Sequence, residues 1–417
     1  DNQRHFKSSL DISAPADAQE VSRAVEDGLA AADLSGLKDY CRGGLPHWSY
    51  ASLMHLCREL EAQASSSDEI KSKTIEVLTY LNDRSISTGD KKRSSVLQAI
   101  RDSLSRIFRG SPGLDESAGG IYRHIDWSTR GTLRPPRDGE RLLVVNARGF
   151  PPEGDECDAR LVHRAYELGW KRFICYDYTG QRFCGCGLGQ GSQGVRIDVY
   201  GSSGDYLASG IDGLEIVVHG NAQDQVGQIM KQGKLVVYGD VGQTFMYGAK
   251  GGETFIMGNA AGRPLINAVG RPRVVINGTC LDYLAESFMA GDPLNGGGFV
   301  IMNGIEFDRD GNVLEQATPY PGSNLFSLAS GGAIYLRDPY HRVVEGQLNG
   351  GVLADLGPAD WALILPYLEE NERLFGISIE RDLLTVKGER KGYQEVYRKV
   401  QAVKLDVLAR GGPRPGH

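Results

Sequence analysis

Four cysteines, Cys157, Cys175, Cys184 and Cys186, fall within 30 residues and form the densest set of soft ligands in the chain. Four thiolates could hold zinc or an iron–sulfur cluster. The spacing, however, has neither the CxxC pairs of zinc ribbons nor a ferredoxin run. The seven cysteines are otherwise scattered, so reduced thiols acting as small buried hydrophobes are expected rather than a metal site or a disulfide framework. A second candidate is acidic. Asp205, Asp212, Asp224, Asp240, Asp282 and Asp292 crowd one region, and a polysaccharide-cleaving enzyme needs a paired acid and base. The charged positions beside them alternate in sign, which suits compensation instead. His219 is expected to be a surface ladder residue. The run GCGLGQG (185–191) neither opens a helix nor sits in a strand–turn–helix unit, as a dinucleotide loop must. No catalytic, cofactor-binding or metal-ligating residue is assigned.

The elements that carry these residues repeat. Strand-like runs end in Gly at Gly201, Gly220, Gly239, Gly258, Gly278 and Gly304, at intervals of 19, 19, 19, 20 and 26 residues. Such a period marks stacked supersecondary units. Two residues before the Gly stand Val199, Val218, Val237, Ile256, Ile276 and Met302; four before stand Ile197, Ile216, Leu235, Thr254, Val274 and Val300. Side chains two apart share a face, so both columns are expected to be interior. Five before come Arg196, Glu215, Lys234, Glu253 and Arg273, an outward ladder of alternating charge. Three before, in the same outward phase, stand Asp198 and then the apolar Val217, Val236, Phe255, Val275 and Ile301. An apolar stripe of that length should be covered, by the chain's own tail (for instance a Trp361–Leu368 helix) or by a partner subunit. These five are the candidate interface residues. Ser202, Asn221, Asp240, Asn259 and Thr279 follow the Gly as bend residues. The Gly itself is expected to supply φ > 0 at a corner.

The segments GSSGDYLASGI (201–211), GNAQDQVGQIMKQGKLVV (220–237), GNAAGRPLINAVG (258–270) and NGTCLDYLAESFMAGD (277–292) resemble the GXGXG domain of the glutamate synthase large subunit, a domain also found in one of the chains of formylmethanofuran dehydrogenases. The resemblance covers about residues 190–305. It implies a mainly β protein built on a right-handed parallel β-helix of about six turns, acting as a scaffold without catalytic residues. It further implies that flavin and iron–sulfur clusters, and a glutaminase, belong to partner chains. The alternatives are a component of a formylmethanofuran dehydrogenase-type complex and a free-standing carbohydrate-active β-helix enzyme.

The rest of the chain frames this repeat. Residues 1–110 are expected to be an α-helical region. Its apolar faces are Leu53/Leu56/Leu60, Ile75/Leu78/Leu81 and Leu97/Ile100/Leu104/Ile107, behind a polar arm over 1–20. The basic helix KKRSSVLQAIRDSLSRIFRG is read as a bundle helix with a solvated face. Residues 111–140 read as a linker and 141–193 as a small α/β cap (strand, helix, strand, then a short strand QRFCGC). After the repeat (194–305), residues 306–417 read as strands and a helical tail, with a helix starting at ProAlaAspTrp (358–361), another in GYQEVYRKVQAV, and a disordered GGPRPGH end. The net charge of −7 disfavours nucleic-acid binding. No apolar run reaches membrane-spanning length, and the start lacks a signal core, so a cytoplasmic location is expected.

Overall fold

The repeat builds one large sheet. The computed structural model describes residues 15–117 and 119–403; most of the expected N-terminal arm and all of GGPRPGH lie outside them. The chain divides into two compact units, one up to Gly110 together with Arg309–Gly311 and the other over the rest.

The first unit is helical: α1 Ala18–Ala30, α2 Ser35–Gly44, α3 Tyr50–Gln63, α4 Asp68–Asp83 and α5 Arg93–Arg109. Ser49 caps α3 by accepting the Ser52 amide at 3.1 Å, and Ser67 caps α4 by accepting the Ile70 amide at 3.2 Å. Such caps satisfy donors that a helix start leaves open. The basic helix α5 buries Val96, Ile100, Leu104, Ile107 and Phe108 and keeps its charged face outward.

The second unit begins with β1 (Tyr122–Ile125), β2 (Leu142–Asn146), α6 (Asp158–Glu167) and β3 (Arg172–Thr179). The repeat strands follow: β4 (Arg196–Ser202), β5 (Asp212–His219), β6 (Gln232–Val237), β7 (Glu253–Ile256), β8 (Arg273–Ile276) and β9 (Phe299–Met302). Then come the hairpin β10 (Ile305–Phe307) and β11 (Val313–Glu315), β12 (Ala333–Arg337), β13 (Gly351–Ala354) and α7 (Pro358–Phe375). The chain closes with the hairpin β14 (Thr385–Val386) and β15 (Glu389–Arg390), the short α8 (Tyr393–Val396) and β16 (Tyr397–Ala402). The main sheet has 12 strands in the order β1-β2-β3-β4-β5-β6-β7-β8-β9-β12-β16-β13. It is parallel through β12, and β16 pairs antiparallel with both β12 and β13. Among the described residues, no helix is long and apolar enough to cross a membrane.

Three expectations are corrected here. The stretch read as a linker contains β1, which pairs parallel with β2. QRFCGC is not a strand. The segment read as a last helix is helical only over α8 and then becomes β16.

The register follows the repeat. Arg196 pairs with Glu215, Glu215 with Lys234, Lys234 with Glu253 and Glu253 with Arg273. Every residue of the two inward columns, from Ile197 and Val199 to Val300 and Met302, is 0 % exposed. The outward charged column is partly exposed up to Glu253, but Arg273 is 3 % exposed, with the Tyr367 ring of α7 6.0 Å from its guanidinium. It lies over the Phe299 ring at 4.5 Å and donates to the Gly297 carbonyl.

Opposite the strands, each repeat contributes a ribbon in which every second residue has positive φ: Tyr206/Ala208/Gly210, Gln225/Gly227/Ile229, Thr244/Met246/Gly248, Arg263/Leu265/Asn267, Tyr283/Ala285/Ser287 and Asn324/Phe326/Leu328. From Tyr206 to Ser287 the amide of each first and third position bonds forward to the next ribbon, as in Gln225 to Gln243 O (2.8 Å) and Ile229 to Tyr247 O (2.9 Å). The middle amide bonds back, as in Gly227 to Leu207 O (2.8 Å). Ala208, Met246, Leu265, Ala285 and Phe326 turn into the same core as the inward strand columns.

Candidate functional site

The five outward apolar residues lie under the chain's own tail. Val217 is 4 % exposed, and Val236, Phe255, Val275 and Ile301 are 0 % exposed. They share a core with Leu356, Ile364, Leu368, Leu374 and Phe375 of α7 and its approach, and with Ile377, Ile379 and Leu383 beyond it. Of the two occupants expected for this stripe, the tail is the one in place, so the residues are not an open interface. Polar contacts fix how α7 seats. Asn371 donates to Asn277 Oδ1 (2.9 Å) and accepts from its Nδ2 (2.8 Å); Asn303 also donates to Asn277 Oδ1 (2.8 Å), and Tyr397 Oη donates to Asn303 Oδ1 (2.8 Å). At the start of α7, Asp360 accepts from Tyr335 Oη (2.7 Å) and Lys399 Nζ (2.8 Å). Lys234 ion-pairs with Glu370. Hydrogen bonds from Arg373, ahead of those from Lys234, hold the Glu370 carboxyl down to about 2 against the opposing effect of burial.

The acidic series serves the backbone. Asp224 N donates to Asp205 Oδ1 (3.2 Å), Gln243 N to Asp224 Oδ1 (2.8 Å), Asn259 N to Asp240 Oδ1 (2.7 Å) and Ser323 N to Asp282 Oδ1 (2.6 Å). Asn221 and Asn259 do the same for Asp240 (2.9 Å) and Thr279 (2.9 Å). Asp212 pairs with Lys231 at 3.6 Å and Asp292 caps Leu294 N at 3.1 Å. This ladder explains the Gly of the middle repeats better than a corner does. A Cβ on Gly239 would lie 2.0 Å from Asn221 Oδ1, and one on Gly258 would lie 2.2 Å from Asp240 Oδ1. Close stacking, not positive φ, excludes a side chain at Gly220, Gly239, Gly258 and Gly278, whereas Gly201 (φ +114°) and Gly304 (φ +61°) take the positive φ expected of them.

His219, expected on the surface, is 4 % exposed. It stacks between Tyr200 (4.2 Å) and Tyr238 (5.7 Å), and its Nε2 lies 3.3 Å from Asp198 Oδ1. Burial alone would raise the Asp198 carboxyl, but hydrogen bonds from His219 and Arg196 outweigh it and hold it below the usual carboxylate range. This is a buried ladder position rather than a general base open to substrate.

All of the seven cysteines are free thiols. Cys186 donates to Tyr206 O at 3.0 Å, and burial pushes its thiol up to about 12. Asp158 is fully buried against Tyr178 Oη, and burial raises its carboxyl to about 6. Among the described residues, no group of three or more His, Cys, Asp or Glu could hold a metal. Gly185, in GCGLGQG, has φ +79° and belongs to an extra ribbon, Phe183/Gly185/Gly187, ahead of the others. A Cβ on it would lie 2.3 Å from Ile216 Cδ1, so it closes the core rather than cradling a phosphate. Beside this ribbon, a cleft of about 340 Å³ is lined by Cys157 just before α6, by Ala159, Arg160 and His163 of α6 and by Phe183 and Cys186.

Residues 175–374 match the family model described as GXGXG motif. Over this stretch, just under half of its length, the chain carries a GXGXG motif domain. A comparison with curated proteins finds no match. The GXGXG domain reaches beyond the stretch legible as a repeat: it starts within β3, takes in the Phe183–Gly187 ribbon, and ends one residue short of the end of α7. The tail helix that covers the five apolar residues thus belongs to the GXGXG domain itself. The ribbons escaped the strand pattern, although alternate Gly in GCGLGQG, with Gly210, Gly227 and Gly248 at the matching places, is a visible sign of every-second-residue positive φ.

Proposed function

We propose that this chain is a scaffold subunit of a glutamate synthase-like oxidoreductase. Its repeats would wind as a right-handed parallel β-helix of about six turns, while glutaminase-like and flavin or iron–sulfur chains carry the chemistry, in the cytoplasm. The observation that carries this reading is the GXGXG match over residues 175–374, a domain characteristic of glutamate synthase-type proteins. The acidic ladder supports it, since carboxylates engaged by backbone amides are poor candidates for a glycosidase pair. A tagged chain purified from its native cell should bring down a flavin-containing chain and a glutaminase-like chain, identified by mass spectrometry. The chain alone should neither show a flavin spectrum nor release glutamate from glutamine. Recovery without any partner, or either activity in the isolated chain, would refute the proposal.

A further inference from the structure

The cleft beside α6 has a chemistry of its own. Its walls are Cys157, Ala159, Phe183 and Cys186, and its 340 Å³ lies in the range of small-molecule sites. Two of the polar side chains along the cleft are already engaged. The Cys186 thiol donates to Tyr206 O, and His163 Nε2 donates to Gly187 O at 3.1 Å. The interior therefore accepts an apolar body, and an ionised group pushed into it would be desolvated without a partner. The charges stand at the mouth: Arg160 and Asp155 lie 3.9 Å apart, with side chains 62 % and 98 % exposed. A guanidinium beside a carboxylate complements a ligand that carries both an anionic and a cationic group on one carbon.

We propose that this cleft binds a free α-amino acid with a large apolar side chain. Its carboxylate sits on Arg160, its ammonium on Asp155, and its side chain lies against Phe183 and Ala159. Glutamate and glutamine are poor ligands, because their polar ends would enter the apolar walls. The inference is independent of the scaffold reading.

Isothermal titration calorimetry of the full chain tests it, with L-phenylalanine as the probe and phenylacetate, phenethylamine and L-glutamate as comparators. L-Phenylalanine should bind saturably at one site. Each comparator, lacking one charge or the apolar body, should bind about tenfold more weakly or worse. Arg160→Ala, at an exposed position, should fold normally and lose about tenfold in affinity. Ala159→Trp should fill the cleft and abolish binding. The proposal is overturned by the absence of saturable L-phenylalanine binding, by equal affinity for any comparator, or by wild-type affinity in Arg160→Ala.

Discussion

The ribbon positions show what the backbone demands of single residues. Positive φ costs a side-chain-bearing residue roughly 1 kcal/mol or more, yet Ile229, Thr244, Arg263 and Leu328 all adopt it. Each is held by its amide, which donates forward: Ile229 to Tyr247 O, Thr244 to Gly262 O, Arg263 to Asp282 O and Leu328 to Asn349 O. Ile229 is the worst suited, being β-branched at φ +56° and 41 % exposed, so it has little packing to lose. Ile229→Gly should therefore raise stability by up to about 1 kcal/mol. Gly248→Val, at the equivalent place one repeat on, should lower it by about 1–2 kcal/mol. Denaturant melts of both variants check this, and stabilisation by Gly248→Val would contradict the ribbon geometry. Glu370 gives a pH signature. Its folded value of about 2 lies below the ordinary 4.5. The stabilisation from Arg373 and Lys234 is thus complete above about pH 5 and fades as pH falls towards about 2. Glu370→Gln should be less stable than wild type at neutral pH and equal to it near that lower limit. A gap that persists unchanged at low pH would show that the ion pairs are not its source.

At the scale of elements, α7 is held by an apolar stripe with two polar pins. Ile364 and Leu368 face the Val236–Ile301 stripe, while Asp360 and Asn371 share the buried side of the helix. Because the tail covers the stripe, Phe255→Asp would bury a carboxylate among apolar atoms and should cost on the order of several kcal/mol. Asn371→Ala should cost about 1–3 kcal/mol by stripping two hydrogen bonds from Asn277. Thermal melts read both changes; wild-type stability of Phe255→Asp would mean that α7 does not cover the stripe in solution. The strands were legible because period-two columns repeat every 19 residues. The start of α7 was legible from ProAlaAspTrp. Its polar pins were not, since Asn277, Asn303 and Asn371 meet across 94 residues or less of intervening chain and no local pattern pairs them. The cleft at α6 was equally hidden, because its two cysteines, though clustered in sequence, read as small buried hydrophobes until the Phe183–Gly187 ribbon is seen beside the helix.

At the scale of the molecule, the last strand in the described chain completes the main sheet. β16 lies between β12 and β13, pairing Ala333–Arg337 on one side and Gly351–Ala354 on the other. Its sequence hid this: Val396 and Val400 four apart, and Tyr393 and Tyr397 four apart, mimic a helical stripe. The choice of strand is made by two distant neighbours that offer free edges, a non-local decision that composition does not record. The tail is therefore not a detachable arm laid over a finished sheet. Without it, β12 would present an open edge, β13 would lose its partner in this sheet, and the stripe from Val217 to Ile301 would face water. Open edges and large apolar patches are the surfaces through which soluble chains aggregate. Truncation after residue 354 should accordingly yield a chain that binds hydrophobic dyes, self-associates in sedimentation and loses a cooperative melt for the β-rich unit. A soluble, monomeric, cooperatively melting truncated chain would show that the sheet closes at β12 without β16 and that the tail only decorates it.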